Sequence, residues 1–114
     1  MGGIKTGQVV VLPFPFSDLT HQKFRPALVL ADGMRGDWIL CQITSNPYAD
    51  PRAVVLSPSD FSAGGLPRLS HARPGKLFTA HESLISGVVG HLTKESLKKE
   101  GARSGDFPVS KRLR

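Results

Sequence analysis

The sequence predicts a mainly β fold: a small, strongly bent antiparallel sheet or barrel ending in one short helix. Three observations point there. Apolar runs of four to seven residues, rich in Val, Ile and Leu, recur along the 114-residue chain. Gly, Pro, Asn and Asp cluster between them, where chain reversals need unusual φ or preset turns. The stretch with both helix-start and helix-end signals lies after the last of these runs.

Gln8 to Leu12 reads as the first strand because it is Val-rich and short. Pro13 and Pro15 lack backbone donors, so residues 13 to 16 are expected to leave the sheet as a stiff arm anchored by Phe14 and Phe16. Ser17 to Lys23 is a polar loop leading to Arg25. Pro26 suits the first position of a strand, and Ala27 to Leu30 follows, buried on both faces. Asp32-Gly33 and Arg35-Gly36-Asp37 supply the turn. Trp38 to Thr44 is the third strand, with Ile39, Cys41 and Ile43 facing one way and Trp38, Leu40, Gln42 and Thr44 the other. Asn46-Pro47 ends it, and Ala53 to Leu56 forms a fourth strand. Ser57 to Arg73 is rich in Gly, Pro and Ser and reads as a short turn or helical piece followed by irregular chain. Lys76 to Thr79 and Val88 to Leu92 are the last strands. Thr93 is the helix N-cap, with Glu95 in the first turn, Lys98 and Lys99 in the later one, and Gly101 at the exit.

The length suits one domain, residues 1–102, followed by a basic tail, residues 103–114. A core this small leaves dimerisation open as a way to bury more apolar area. Fifteen Lys and Arg against nine Asp and Glu give a formal charge of +6, which favours an anionic partner, nucleic acid first. The tail carries Arg103, Lys111, Arg112 and Arg114 against Asp106, so half of that charge, +3, sits outside the domain. Within the domain, Arg68, His71, Arg73 and Lys76 fall between Asp60 and Glu82, a run with no carboxylate. Such a run suits phosphates. The single Cys41 excludes an internal disulfide and fits a reducing cytoplasm. No segment approaches the ~18 apolar residues of a membrane span, and no export signal is recognisable, so a cytoplasmic protein away from the membrane is expected.

The chemistry narrows by elimination. The glycine patterns that cradle nucleotides are missing. His21, His71, His81 and His91 lack zinc-ligand spacing, so neither metal nor cofactor is expected. Cys41 alternates with Ile39 and Ile43 and reads as a buried thiol. RNA can be cut without a metal when its own 2′-hydroxyl attacks the adjacent phosphate. A base must take the hydroxyl proton, cationic donors must stabilise the phosphorane, and an acid must protonate the departing 5′-oxygen. Arg25 suits the second task, because a guanidinium fork binds two phosphate oxygens at once. Thr44 can hydrogen-bond the same phosphate. His21 is a candidate base or phosphate contact. Arg73 and Lys76 are candidate RNA contacts, Asn46 could read a base edge, and Phe14, Phe16 and Trp38 could stack on bases or simply pack.

These segments resemble a known family. Gly7-Gln8-Val9-Val10 through Phe16-Ser17-Asp18-Leu19, Lys23-Phe24-Arg25-Pro26-Ala27-Leu28-Val29-Leu30, Cys41-Gln42-Ile43-Thr44-Ser45-Asn46, Leu77-Phe78-Thr79 and Val89-Gly90-His91-Leu92-Thr93 are together similar to the MazF/PemK toxin endoribonucleases of type II toxin-antitoxin systems. The resemblance covers most of residues 4 to 100, making 1–102 the toxin domain. It implies an SH3-like or CcdB-like β-barrel and a homodimer. It further implies metal-independent cleavage of single-stranded RNA, mRNA included, that leaves a cyclic phosphate, and a cognate antitoxin whose complex binds DNA. It assigns catalysis to Arg25 and Thr44, and places the Ser17 to Lys23 loop, with Ser17, Asp18, His21 and Lys23, over the substrate. Gln8 stands where many relatives carry Asp, and Arg73 to His81 lacks the late carboxylate of some members. The helix also stops at Gly101, with Pro108 beyond it. Two other functions fit the same barrel: a non-catalytic RNA binder and a gyrase poison. A third reading pairs His21 with His71 or His81 as the acid and base of a ribonuclease.

Overall fold

The computed structural model describes residues 3–15, 22–46 and 51–98. Strands β1 (Gln8–Pro15), β2 (Gln22–Met34), β3 (Asp37–Thr44), β4 (Val54–Leu56), β5 (Phe61–Gly64), β6 (Ser70–His81) and β7 (Gly87–Leu92) form one sheet in the order β4-β6-β3-β2-β1-β7-β5. Every pairing is antiparallel. The edge strands β4 and β5 are joined through Ser57 and a single 3-10 turn, Pro58–Asp60. The sheet therefore curls until its edges nearly meet, giving the expected SH3-like, nearly closed barrel. Residues 94–98 form the short C-terminal helix α1. Thr93 caps it, its Oγ1 accepting from the Ser96 amide at 3.1 Å.

Alternation sorts the apolar side chains into two layers. Val9, Leu28, Cys41, Ile43, Leu56, Ala72 and Leu92 fill the barrel interior. Val10, Leu12, Ala27, Val29, Leu40 and Ala80 form a second cluster on the opposite face, under Ile4, Phe14, Trp38, Phe78 and Ile85. β3 feeds both layers as its sequence predicts. Leu28 and Leu40 are fully buried, and burial of each contributes about 1.5–3 kcal/mol.

The structure corrects several expectations, two of them about proline. Residues 13 to 15 do not leave the sheet, since Pro13, Phe14 and Pro15 pair with Phe24, Lys23 and Gln22. The Val11 carbonyl accepts from the Ser86 amide, so odd-numbered residues of β1 turn their backbone groups away from β2. The donors that Pro13 and Pro15 lack would point to that side, beyond the β7 ladder, which ends at Val11↔Gly87. Pro26 lies within β2 and does not begin it. Pro74-Gly75 lies inside β6 because the register jumps from Gln42↔Arg73 to Cys41↔Leu77, leaving residues 74 to 76 as a bulge. Finally, part of the stretch from Ser57 to Arg73 read as irregular is strand, as β5 and the start of β6.

The β2–β3 hairpin turns on Arg35 and Gly36, with φ of 58° and 84°. Both values fit a type I′ turn, whose twist matches the flanking strands. Asp32 Oδ1 accepts from the Met34 amide at 2.7 Å, so Asp32-Gly33 belongs to the bulged end of β2. Among the described residues no helix is long and apolar enough to cross a membrane. Phe16, Ser17, Asp18, His21, Gly101 and the tail 103–114 lie outside the described residues.

Candidate functional site

Pro26 shapes the site. Val11 turns its backbone away from β2, so its partner Pro26 turns away from β1 and towards β3. A proline nitrogen offers no hydrogen there, and the β2–β3 ladder stops at Ala27↔Gln42. Arg25 and Thr44 lie just past that last pair, Thr44 at the end of β3 and Arg25 in the part of β2 that pairs only with β1. Strand alternation puts both on the face of Ala27 and Gln42.

Two clefts open at this gap. One of about 300 Å³ is lined by Phe14, Arg25, Gln42, Thr44, Asn46 and Arg73, among others. The second, about 420 Å³, shares Arg25, Thr44 and Ser45 with the first and adds Phe24, Leu66 and Arg68. Arg25 and Thr44 thus form a ridge between a polar cleft and a more apolar one. Among the described residues, three arginines and no carboxylate line the two together, an arrangement that attracts phosphate oxygens.

Each side chain is positioned by identifiable neighbours. Phe14 meets Phe78 edge to face, with centroids 5.1 Å apart, which fixes one wall. Thr44 Oγ1 donates to the Asn46 carbonyl and accepts from the Asn46 amide, both at 3.1 Å, closing the turn after β3. A hydroxyl has one hydrogen and two acceptor sites, so one lone pair remains; donation to a ligand requires leaving the Asn46 carbonyl. Arg73 Nη1 donates to Gln42 Oε1 at 3.3 Å. Cys41 Sγ donates to the Arg73 carbonyl at 3.0 Å, so the buried thiol supports the site's backbone.

Of the residues singled out from sequence, Arg25, Thr44, Asn46 and Arg73 are brought together round one cleft. Lys23 pairs with Phe14 two residues before Arg25, on the same face but outside the lining of either cleft. Lys76 is exposed in the β6 bulge and lines neither. His71 pairs with Thr44, and its Nδ1 is buried with no hydrogen-bond partner among the described residues. His81 pairs with Asp37 at the other end of β3, seven residues from Thr44 and so about 23 Å away. That distance removes it as a proton carrier for this site. Gln8 is occupied locally, its Oε1 accepting from the Lys5 amide at 2.8 Å. Among the described residues no group of three His, Cys, Asp or Glu side chains could hold a metal ion.

Sequence reasoning passed over Gln42, Ser45 and the 65 to 67 segment, while Arg68, singled out with the basic run, does line the second cleft. Gln42 was findable, since alternation puts it on Thr44's face. Nothing in Gly65-Leu66-Pro67-Arg68 signals that β6 and β7 would bring it to the far side of Arg25.

The family profile described as "PemK-like, MazF-like toxin of type II toxin-antitoxin system" matches residues 5–100. Among solved structures, the fold is similar to MazE-MazF (Form-II) from Deinococcus radiodurans, at 19% identity and a TM-score of 0.74 over 93% of this chain and 96% of that one. It is also similar to an endoribonuclease from a mycobacterial species, at 18% identity and a TM-score of 0.68 over 93% and 91%. A third is the Mycobacterium tuberculosis toxin MazF-mt6, at 16% identity and a TM-score of 0.65 over 87% and 93%. At such identities the likeness establishes the fold. No curated protein sequence gives a significant match.

Proposed function

The chain belongs to the PemK/MazF-like toxin family of type II toxin-antitoxin systems, and from that premise we propose that it is an endoribonuclease that cleaves single-stranded RNA without a metal. The observation that carries this reading is the cleft that Arg25 and Arg73 line together beside Thr44. A phosphodiester seated there meets guanidinium donors on two sides, which suits the extra negative charge of a phosphorane. The 2′-oxygen bonds to phosphorus and the P–O5′ bond breaks. The 2′-hydroxyl proton leaves to a base, the 5′-oxygen gains one, and the products end in a 2′,3′-cyclic phosphate and a 5′-hydroxyl. Arg25 holds the reacting phosphate, and Thr44 adds a hydroxyl donor once it swings off the Asn46 carbonyl. The apolar cleft beyond the ridge, walled by Phe24 and Leu66, suits an unstacked base.

The same reading gives the chain an antitoxin and a second copy of itself as partners. Similar structures include an endoribonuclease in complex with its cognate antitoxin. Phe24 and Leu69, 60% and 57% exposed beside the second cleft, offer apolar surface for either to cover.

The test is incubation of the antitoxin-free chain with single-stranded RNA in EDTA. Cleavage to cyclic-phosphate ends is expected, and none where the 2′-hydroxyl next to the scissile phosphate is replaced by hydrogen. RNA left intact after prolonged incubation overturns the proposal. Salt-dependent binding without turnover would identify a non-catalytic binder instead.

A further inference from the structure

Gln42 stands in the middle of a three-strand row, with Ala27 of β2 on one side and Arg73 of β6 on the other. It is half-buried and lines the polar cleft between the two arginines. Its Oε1 accepts from Arg73 Nη1 at 3.3 Å, and this bond spans strands 31 residues apart in sequence. Arg73 is the last residue paired before the bulge at residues 74 to 76, the kind of irregularity that re-aims a side chain. Its backbone is held by the Cys41 thiol and its guanidinium by Gln42.

We infer that Gln42 is a positioning residue that presents Arg73 to the phosphate held by Arg25, making the polar cleft a two-arginine clamp. The inference rests on the phosphate-site reading above. An arginine side chain has several rotatable bonds, and ordering it at the moment of binding costs affinity. An acceptor that fixes one of its five donors in advance removes part of that cost. The amide is neutral and so suits the task. A glutamate in its place would hold Arg73 equally well and cancel the charge the phosphate needs.

The test is titration of the full chain, ¹⁵N-labelled, with inorganic phosphate, following the arginine Nε–Hε resonances. In the unaltered chain the Arg25 and Arg73 signals move together with one Kd. Gln42→Met keeps the length of the side chain and removes the acceptor. It is expected to weaken phosphate about 10-fold or more, the scale of a hydrogen bond to a charged group, and to abolish the Arg73 response while Arg25 still responds. Gln42→Asn, which keeps the amide on a shorter stem, should recover part of the affinity. Gln42→Glu should bind phosphate more weakly than Gln42→Met. A Gln42→Met chain that keeps both the original Kd and the Arg73 response overturns the inference while leaving Arg25's role standing. An unaltered chain in which the Arg25 signal never moves overturns the phosphate site itself.

Discussion

The Ser96 hydroxyl donates to Asp60 Oδ1 at 2.5 Å, tying the C-terminal helix to the turn where the barrel passes from one edge strand to the other. Asp60 Oδ2 accepts from the Ser57 amide at 2.8 Å and the Ser57 hydroxyl at 2.9 Å. The Asp60 carbonyl also accepts from the Thr93 amide at 2.9 Å. Closure of the sheet thus depends on one carboxylate where strand pairing is lacking. Asp60→Ala removes the three side-chain bonds and should cost about 2–4 kcal/mol, read as a lower urea midpoint. A change under about 0.5 kcal/mol would show that closure needs no such tie.

Arg25 is exposed, so Arg25→Ala should leave stability within about 0.5 kcal/mol while slowing single-turnover RNA cleavage by about 10²–10³-fold. Arg25→Lys keeps the charge and loses the fork, and should fall between the two. Melting curves and cleavage rates measured on the same preparations separate the effects. Cleavage at the original rate in Arg25→Ala removes this residue from the chemistry.

Thr44 carries two separable roles. Thr44→Val deletes the hydroxyl at nearly constant volume and should cost about 1 kcal/mol through the lost turn closure, with a fall in kcat. Thr44→Ser should keep both. If Thr44→Val lowers the melting temperature with kcat unchanged, the hydroxyl acts only on the turn with Asn46.

Gly64 has φ +64°, and a Cβ there would lie 2.1 Å from the Val89 carbonyl oxygen. That contact is with backbone of the paired strand and cannot be relieved by a rotamer. Gly64→Ala should therefore destabilise by more than about 2 kcal/mol. It should also distort the second cleft, which Gly65 and Val89 line. Denaturant melts check the first effect, and RNA affinity in the surviving folded fraction checks the second. An unchanged melt would mean that β5 is not seated as described.

The fold class was legible because alternation is a local signal. Trp38 to Thr44 divides between two cores as its sequence requires, and Thr93 caps the helix it was expected to cap. What escaped depends on sideways geometry. Whether Pro13 and Pro15 break a strand turns on which neighbour their nitrogens face, and single-chain periodicity carries no such information. β5 escaped because Phe61-Ser62-Ala63-Gly64 holds one large apolar residue and ends in glycine. The bulge at residues 74 to 76 escaped as well, because it is defined only by the register between β3 and β6 on either side of it. In the site, Arg25 and Thr44 stood out through their motif context and Arg73 through its basic run. Arg68 belongs to that same run, but the wall made by residues 65 to 67 is supplied by tertiary folding alone.

The proline inside β2 has a mechanical consequence. A sheet curled nearly shut resists spreading, since parting two neighbouring strands breaks backbone hydrogen bonds. Between Pro26 and β3 the proline has no donor to give, so the strands that carry Arg25 and Thr44 are tied there only to their outer neighbours, β1 and β6, while behind them β2 and β3 stay zipped. The mouth of the barrel is thus the place where its wall is least tied by backbone, while the core behind it stays laddered.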